Sequence, residues 1–171
     1  LFSYRHEWLP AARAGAAPLP FCPEALPGRA VEERGLHSLY LPEHTHIPVS
    51  RKTAPPPGDE VLNDEYKRTL DPLIALAMCA AVTDRILLGT GIALVAQREP
   101  IVTAKAIATL DRESHGRFVF GIGFGWNQDE LEDHGISMAD RRDVVRDRIM
   151  AMRSLWTNEV AEFHSAHAEI P

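Results

Sequence analysis

With 45% hydrophobic and 25% charged residues, this 171-residue chain has the apolar content to build a core, which excludes disorder by composition. Its net charge of −6 and sequence pI near 5.7 argue against nucleic acid or an anionic membrane as the main partner. No apolar run reaches the roughly 20 residues of a membrane span, and no secretory leader is expected, because Arg5, His6, Glu7 and Arg13 are scattered among prolines and alanines.

Residues 1–23 hold Pro10, Pro18, Pro20 and Pro23 around an alanine-rich middle, show no alternation, and read as an irregular lead-in. Glu24 to Arg34 predicts a helix with Gly35 as its terminator. A short strand, Leu39-Tyr40-Leu41, follows and ends in Pro42-Glu43-His44-Thr45-His46. The stretch from Pro42 to Arg68, with Pro55-Pro56-Pro57-Gly58, is long for a connection; loops of this length are lids, binding loops or linkers. Asp71-Pro72 then gives a cap and a first-turn proline, and Ile74, Ala77, Met78 and Ala81 give the predicted apolar face. Cys79 lies in the apolar run Leu76–Ala80 and reads as a buried reduced thiol; with Cys22 the only other cysteine, a cytoplasmic setting is expected.

Ile86-Leu87-Leu88 predicts a second strand, opening into Gly89-Thr90-Gly91. A loop through Gln97 and Arg98 leads to Pro100, suited to the first turn of a helix that runs through Ala104, Ile107 and Ala108 to a stop at Ser114-His115-Gly116. Arg98 and Lys105 read as solvated charges. Phe118, Val119, Phe120 and Ile122 have the composition of a fully buried parallel strand. Gly121, Gly123 and Gly125 open its far end, and Asn127 to Glu130 look like the cap and acidic first turn of a helix. Ser137-x-x-Asp140 resembles a capping box, and Val145, Ile149, Met152 and Trp156 step along a final helix whose stripe, Met150 included, reads as packing. His164 and His167 have no partner legible in the sequence.

Alternating strands and helices with buried-strand composition predict a parallel α/β sheet. The strand starts at Ile86 and Phe118 are 32 residues apart, a normal length for one strand–helix unit, and 171 residues hold about four such units where a complete (β/α)8 barrel takes about 250 residues. A dinucleotide-binding reading fails at the residues: a third glycine is required at 126 or 94, which are Trp126 and Leu94.

The run Arg85-Ile-Leu-Leu-Gly-Thr-Gly-Ile, followed by Ala96-Gln-Arg-Glu-Pro-Ile-Val-Thr-Ala-Lys-Ala-Ile-Ala-Thr-Leu-Asp111, resembles the bacterial luciferase-like monooxygenase superfamily. Gly116-Arg-Phe-Val-Phe-Gly-Ile-Gly-Phe-Gly-Trp-Asn127, with Glu130 and Glu132-Asp133-His134-Gly135 behind it, looks closest to the deazaflavin (coenzyme F-420) dependent oxidoreductases, as does Leu39-Tyr-Leu-Pro-Glu-His-Thr-His46. Members of that family are TIM barrels. The resemblance therefore implies a partial (β/α)8 barrel over residues 24–171, roughly the first four strand–helix units with the first strand missing or replaced. It also implies that Glu43 and His44 line the pocket at the reactive edge of the ring, with His44 as proton donor or acceptor tuned by Glu43. Gly89, Thr90, Gly91 and Ile92 match the place of a non-proline cis peptide, between Gly91 and Ile92, that backs the ring. Gly123, Gly125, Trp126 and Asn127 match the loop beside it. No phosphate contact is carried over.

The implied activity is that of a flavin- or deazaflavin-dependent oxidoreductase transferring hydride to or from a small organic molecule, with coenzyme F-420 favoured and FMN the alternative. With FMN the reaction becomes a monooxygenation using molecular oxygen. A truncated remnant that binds cofactor weakly and a metal-dependent barrel hydrolase using His44-x-His46 are the other readings, and no metal is expected. A homo-oligomer is expected as well, because a part-barrel has strand edges to cover.

Overall fold

The computed structural model describes residues 27–55, 61–62 and 64–171. The expected irregular lead-in, the place of the first strand expected to be missing or replaced, Cys22 and the first residues of the predicted Glu24–Arg34 helix lie outside the described residues.

The described chain builds α1 (Pro27–Glu33), β1 (Ser38–Leu41), α2 (Pro72–Ala80), β2 (Leu87–Thr90), α3 (Pro100–Glu113), β3 (Phe118–Val119), α4 (Gln128–Asp133), α5 (Arg141–Thr157), β4 (Phe163–His164) and β5 (Glu169–Ile170). β1, β2 and β3 form a parallel sheet in chain order, with Ser38 opposite Leu87, Leu41 opposite Thr90 and Leu88 opposite Phe118. A further bridge pairs Ala93 with Ile122 beyond the strand ends. β4 and β5 form a separate antiparallel hairpin against α5. This is the predicted strand–helix alternation.

Helix starts follow the residues that cap them. The Asp71 carboxylate accepts from the Ile74 amide at 3.0 Å, with Pro72 in the first turn of α2. Glu99 accepts from the Ile101 and Val102 amides ahead of α3, with Pro100 in its first turn. Ser137 and Asp140 bond each other ahead of α5, the Ser137 hydroxyl donating to the Asp140 carboxylate at 2.7 Å and accepting from the Asp140 amide. Below the strands, Glu32 accepts from the amides of Asp84, Arg85 and Ile86, and the Arg85 amide is the chief cause of its lowered pKa.

The core lies between the sheet and helices α2, α3 and α5, with Leu76, Leu88, Val95, Leu131, Val144 and Met152 buried. Fully burying a Leu or Met side chain is worth about 1.5–3 kcal/mol, so this cluster carries the fold. Three details differ from the sequence reading. In α2 the buried residues are Pro72, Leu73, Ala75, Leu76, Cys79 and Ala80, while Ile74, Ala77 and Ala81 face outward. The helix PLIALAMCA is apolar all round, so its periodicity could not choose a face; close packing of α1, where a Cβ on Gly28 would meet Cys79 Cβ at 2.7 Å, is what chooses it. Met150 is exposed although Met152 is fully buried. β3 is two residues long and only half-buried, and Ile122 is exposed, because this strand lies at the edge of the described sheet.

Candidate active site

The C-terminal ends of β1, β2 and β3 open on one side, and every site residue expected from the sequence lies at or just beyond them. Past β2 the chain makes a cis peptide bond between Gly91 and Ile92, where the resemblance puts one. Gly89 and Thr90 are still inside the sheet: the Tyr40 ring covers Gly89, and the buried Thr90 hydroxyl donates to the Gly121 carbonyl at 2.6 Å. Gly91 and Ile92 are exposed at the mouth.

Glu43 and His44 are adjacent in sequence but face different partners. The buried Glu43 carboxylate accepts from the Leu94 amide at 2.7 Å and from Arg98 Nε at 2.7 Å, with Arg98 Nη2 also on it. Arg98 reaches Asp71 as well, at 2.7 Å. Burial disfavours the Arg98 charge, but Glu43 and Asp71 outweigh it and raise its pKa. Arg98 is therefore an internal strut and not the solvated charge its sequence suggests. It pins the loop after the cis peptide to the end of β1, and Arg148 of α5 props the same loop by donating to the Ala96 and Arg98 carbonyls at 2.7 Å.

His44 takes its partner from α4. Its Nδ1 lies 2.8 Å from Oε2 of Glu130, a carboxylate 1% exposed. A carboxylate only accepts, so Nδ1 carries the hydrogen, and Nε2 is left without a hydrogen-bond partner among the described residues. The ring is held edge-on by Tyr66 and Trp126, at centroid distances of 5.5 and 5.9 Å. Thr69 locks the backbone, accepting from the His44 amide and donating to its carbonyl. The expected tuning of His44 by Glu43 is thus corrected: Glu43 is committed to Leu94 and Arg98, and the acid beside His44 is Glu130.

The other Glu130 oxygen, Oε1, accepts from the Thr45 amide at 2.8 Å and lies 3.3 Å from the Thr45 hydroxyl. That hydroxyl is 2.8 Å from His134 Nε2, 3.0 Å from His46 Nδ1 and 3.1 Å from Gln97 Oε1. His46 Nε2 lies 3.0 Å from Asp133. His44 and His46 therefore point to different acids, and no group of three or more His, Cys, Asp or Glu side chains among the described residues is arranged to hold a metal. One residue earlier in α4, Asp129 fastens the loop after β1, accepting from the Lys52 amide and the Thr53 amide and hydroxyl. Burial pushes the Asp129 carboxyl up, but these bonds prevail and bring it down to about 2.

The glycine-rich loop makes room chiefly for the protein itself. A Cβ on Gly121 would lie 2.2 Å from the Thr90 carbonyl oxygen, and one on Gly123 would lie 2.4 Å from Ile92 Cδ1. Gly125 has φ +75°, a left-handed conformation that suits glycine, and it turns the chain to present Trp126 and Asn127. Asn127 is 2% exposed, yet its side chain makes no capping bond to α4, and neither its Oδ1 nor its Nδ2 has a hydrogen-bond partner among the described residues. Buried polar side-chain atoms are rarely left unpaired.

His44, Trp126, Gly91 and Ile92 thus converge on one mouth, while Glu43, Gly89 and Thr90 sit beneath it as supports. The sequence reading missed Glu130, Thr45, Tyr66 and Arg98. Glu130 had a usable signal: positions 127, 130, 131 and 134 share one helical face, so Glu130 lies on the side that buries Leu131. A carboxylate there points inward.

The sequence pattern of the luciferase-like monooxygenase family matches residues 27–171, and the chain belongs to that family. An uncharacterized protein of Mycobacterium tuberculosis is 52% identical over 139 residues, covering 80% of this chain and 49% of that protein. The chain thus spans about half the length of that curated relative. Among solved structures, monooxygenase RslO1 from Streptomyces bottropensis superposes with a TM-score of 0.69 at 26% identity, over 84% of this chain and 39% of that one. The oxygenating constituent of 3,6-diketocamphane monooxygenase from Pseudomonas putida, in complex with FMN, gives 0.68 at 20% identity, over 84% and 36%. The coenzyme F420 dependent tetrahydromethanopterin reductase from Methanopyrus kandleri gives 0.58 at 18%, over 88% and 41%. The fold is of the TIM-barrel type these proteins share.

Proposed function

We propose that this chain is the part of a flavin- or deazaflavin-dependent oxidoreductase that carries its proton-transfer residue, acting on a small organic substrate, with the deazaflavin coenzyme F-420 favoured as cofactor. The observation that carries the reading is His44 at the strand mouth, its Nδ1 committed to Glu130 and its Nε2 without a partner among the described residues. A histidine so held gives or takes a proton at a single atom, Nε2. When bound, the cofactor supplies the hydride chemistry, which no side chain of this set provides.

The residues at the mouth fit a flat heteroaromatic ring with polar edges. Ile92 exposes apolar surface there, Trp126 and Tyr66 add aromatic walls, and the Asn127 amide, orphaned among the described residues, is able both to donate and to accept. In this reading Gly91, Ile92, Gly123, Gly125, Trp126 and Asn127 hold the ring, while Gly89, Thr90 and Glu43 keep the strand ends and the cis-peptide loop in place. Glu130 is a positioning residue for His44.

An FMN-dependent monooxygenase is the second reading, favoured by the 26% identity to monooxygenase RslO1. Titrating FMN and coenzyme F-420 separately, followed by tryptophan fluorescence with Trp126→Phe as the control for the reporting ring, decides between them. Tighter binding of the deazaflavin is expected. Tighter binding of FMN moves the assignment to a monooxygenase, and binding of neither overturns the oxidoreductase reading.

A further inference from the structure

We infer that Glu130, Thr45, His46 and Asp133, with a branch at His134, form a proton relay connecting His44 to solvent. The inference rests on the reading of His44 as a proton-transfer residue. Burial creates the need for a path. Glu130 is 1% exposed and the His44 side chain 10%, so once a substrate covers the mouth, Nε2 has no direct exchange with water.

The contacts are continuous. They run from His44 Nδ1 to Glu130 at 2.8 Å, from Glu130 to the Thr45 hydroxyl at 3.3 Å, on to His46 Nδ1 at 3.0 Å, and from His46 Nε2 to Asp133 at 3.0 Å. The Asp133 side chain is 41% exposed and ends the path in solvent. The branch leaves Thr45 for His134 Nε2 at 2.8 Å, and His134 is itself exposed.

Each hop balances. A proton taken up on His44 Nε2 is matched by breaking the Nδ1–H bond, and that proton passes to Glu130. Rotation of the carboxyl group presents it to the Thr45 oxygen, which releases its own hydrogen to His46 Nδ1 or His134 Nε2. His46 then gives up the proton on Nε2 to Asp133, while His134 sheds the one on Nδ1 to water. Proton delivery to His44 runs the same steps backward.

Several groups face this junction. Gln97 Oε1 lies 3.1 Å from the Thr45 hydroxyl and competes for its hydrogen. Burial holds His134 below the usual histidine range, against the opposing pull of Glu130 and Asp133. That direction favours the neutral ring, whose Nε2 is able to accept a proton.

A purely structural network and a relay predict opposite signs in one experiment. Thr45→Val keeps the backbone amide bond to Glu130 and removes only the hydroxyl. Exchange of the His44 Nδ1–H with water is read by NMR on this chain, without cofactor. A relay predicts exchange slower by about tenfold or more in Thr45→Val, equivalent to about 1.4 kcal/mol of added barrier. A structural role predicts exchange that is unchanged, or faster as packing loosens. The double variant His46→Gln/His134→Gln closes both exits with Thr45 intact, and it gives the same slowing if Thr45→Val fails to fold. Unchanged or faster exchange in the folded variants overturns the relay and leaves the oxidoreductase reading standing. Slowed exchange in a chain that binds neither cofactor keeps the proton path and removes its assignment to redox turnover.

Discussion

Replacing Glu43 by alanine tests whether this acid is a strut or part of the chemistry. Its side chain is 3% exposed and accepts from the Leu94 amide and from Arg98, whose own side chain is 17% exposed. Breaking a buried ion pair by removing one partner costs about 3–5 kcal/mol. Asp71 remains 2.7 Å from Arg98 and offsets part of that, since it is 40% exposed and keeps the guanidinium partnered. The Leu94 amide, which is buried, has no such substitute and loses a charge-assisted bond worth about 1.5–3 kcal/mol. The expected net loss is about 3–4 kcal/mol, a fall in Tm of about 10 °C for a domain of this size. Urea unfolding followed by far-UV circular dichroism at low protein concentration reads it, as a lower midpoint with an unchanged slope. Glu43→Gln should lose nearly as much, because its NH2 would turn donors toward donors. A loss under about 1 kcal/mol in both variants would refute the strut and return Glu43 to the chemistry.

Three further outcomes are expected. In a turnover assay, His44→Ala lowers the rate by about 10²–10⁴-fold with the fold intact, whereas His115→Ala, at the exposed end of α3, has little effect; equal losses would mean His44 is structural. Asp129 is held at about 2 against an ordinary 3.8, so its contribution to stability is complete above the ordinary value and disappears as pH falls through about 2. Thr53→Val should therefore flatten the loss of stability on acidification, and superimposable acid-unfolding curves for the two proteins would disprove the latch. Finally, Gly121→Ala pushes a methyl group to 2.2 Å from the Thr90 carbonyl oxygen, a backbone atom, while Gly123→Ala meets only the movable end of Ile92. The first should cost about 1–3 kcal/mol and the second distinctly less, measured by thermal unfolding.

The order of strands and helices was legible because it depends on local chemistry. Asp71-Pro72, Pro100 and Ser114-His115-Gly116 mark boundaries through a cap, first-turn prolines and left-handed stops that act within a few residues. The family was legible in runs such as Gly116 to Asn127, and with it the cis peptide between Gly91 and Ile92.

What the sequence could not supply was direction. Nothing local says which face of the uniformly apolar α2 is buried, or that Arg98 turns inward to Glu43 and Asp71. Glu43 and His44 look like a pair because they are neighbours in the chain, but the Glu43 carboxylate is taken by the Leu94 amide and Arg98. The acid that meets His44 comes instead from Glu130, 86 residues later. Local propensities set which elements form and where they end. The partner of each charged group depended on packing the loop after β1 against α4, because a buried carboxylate must find its donors wherever the fold brings them.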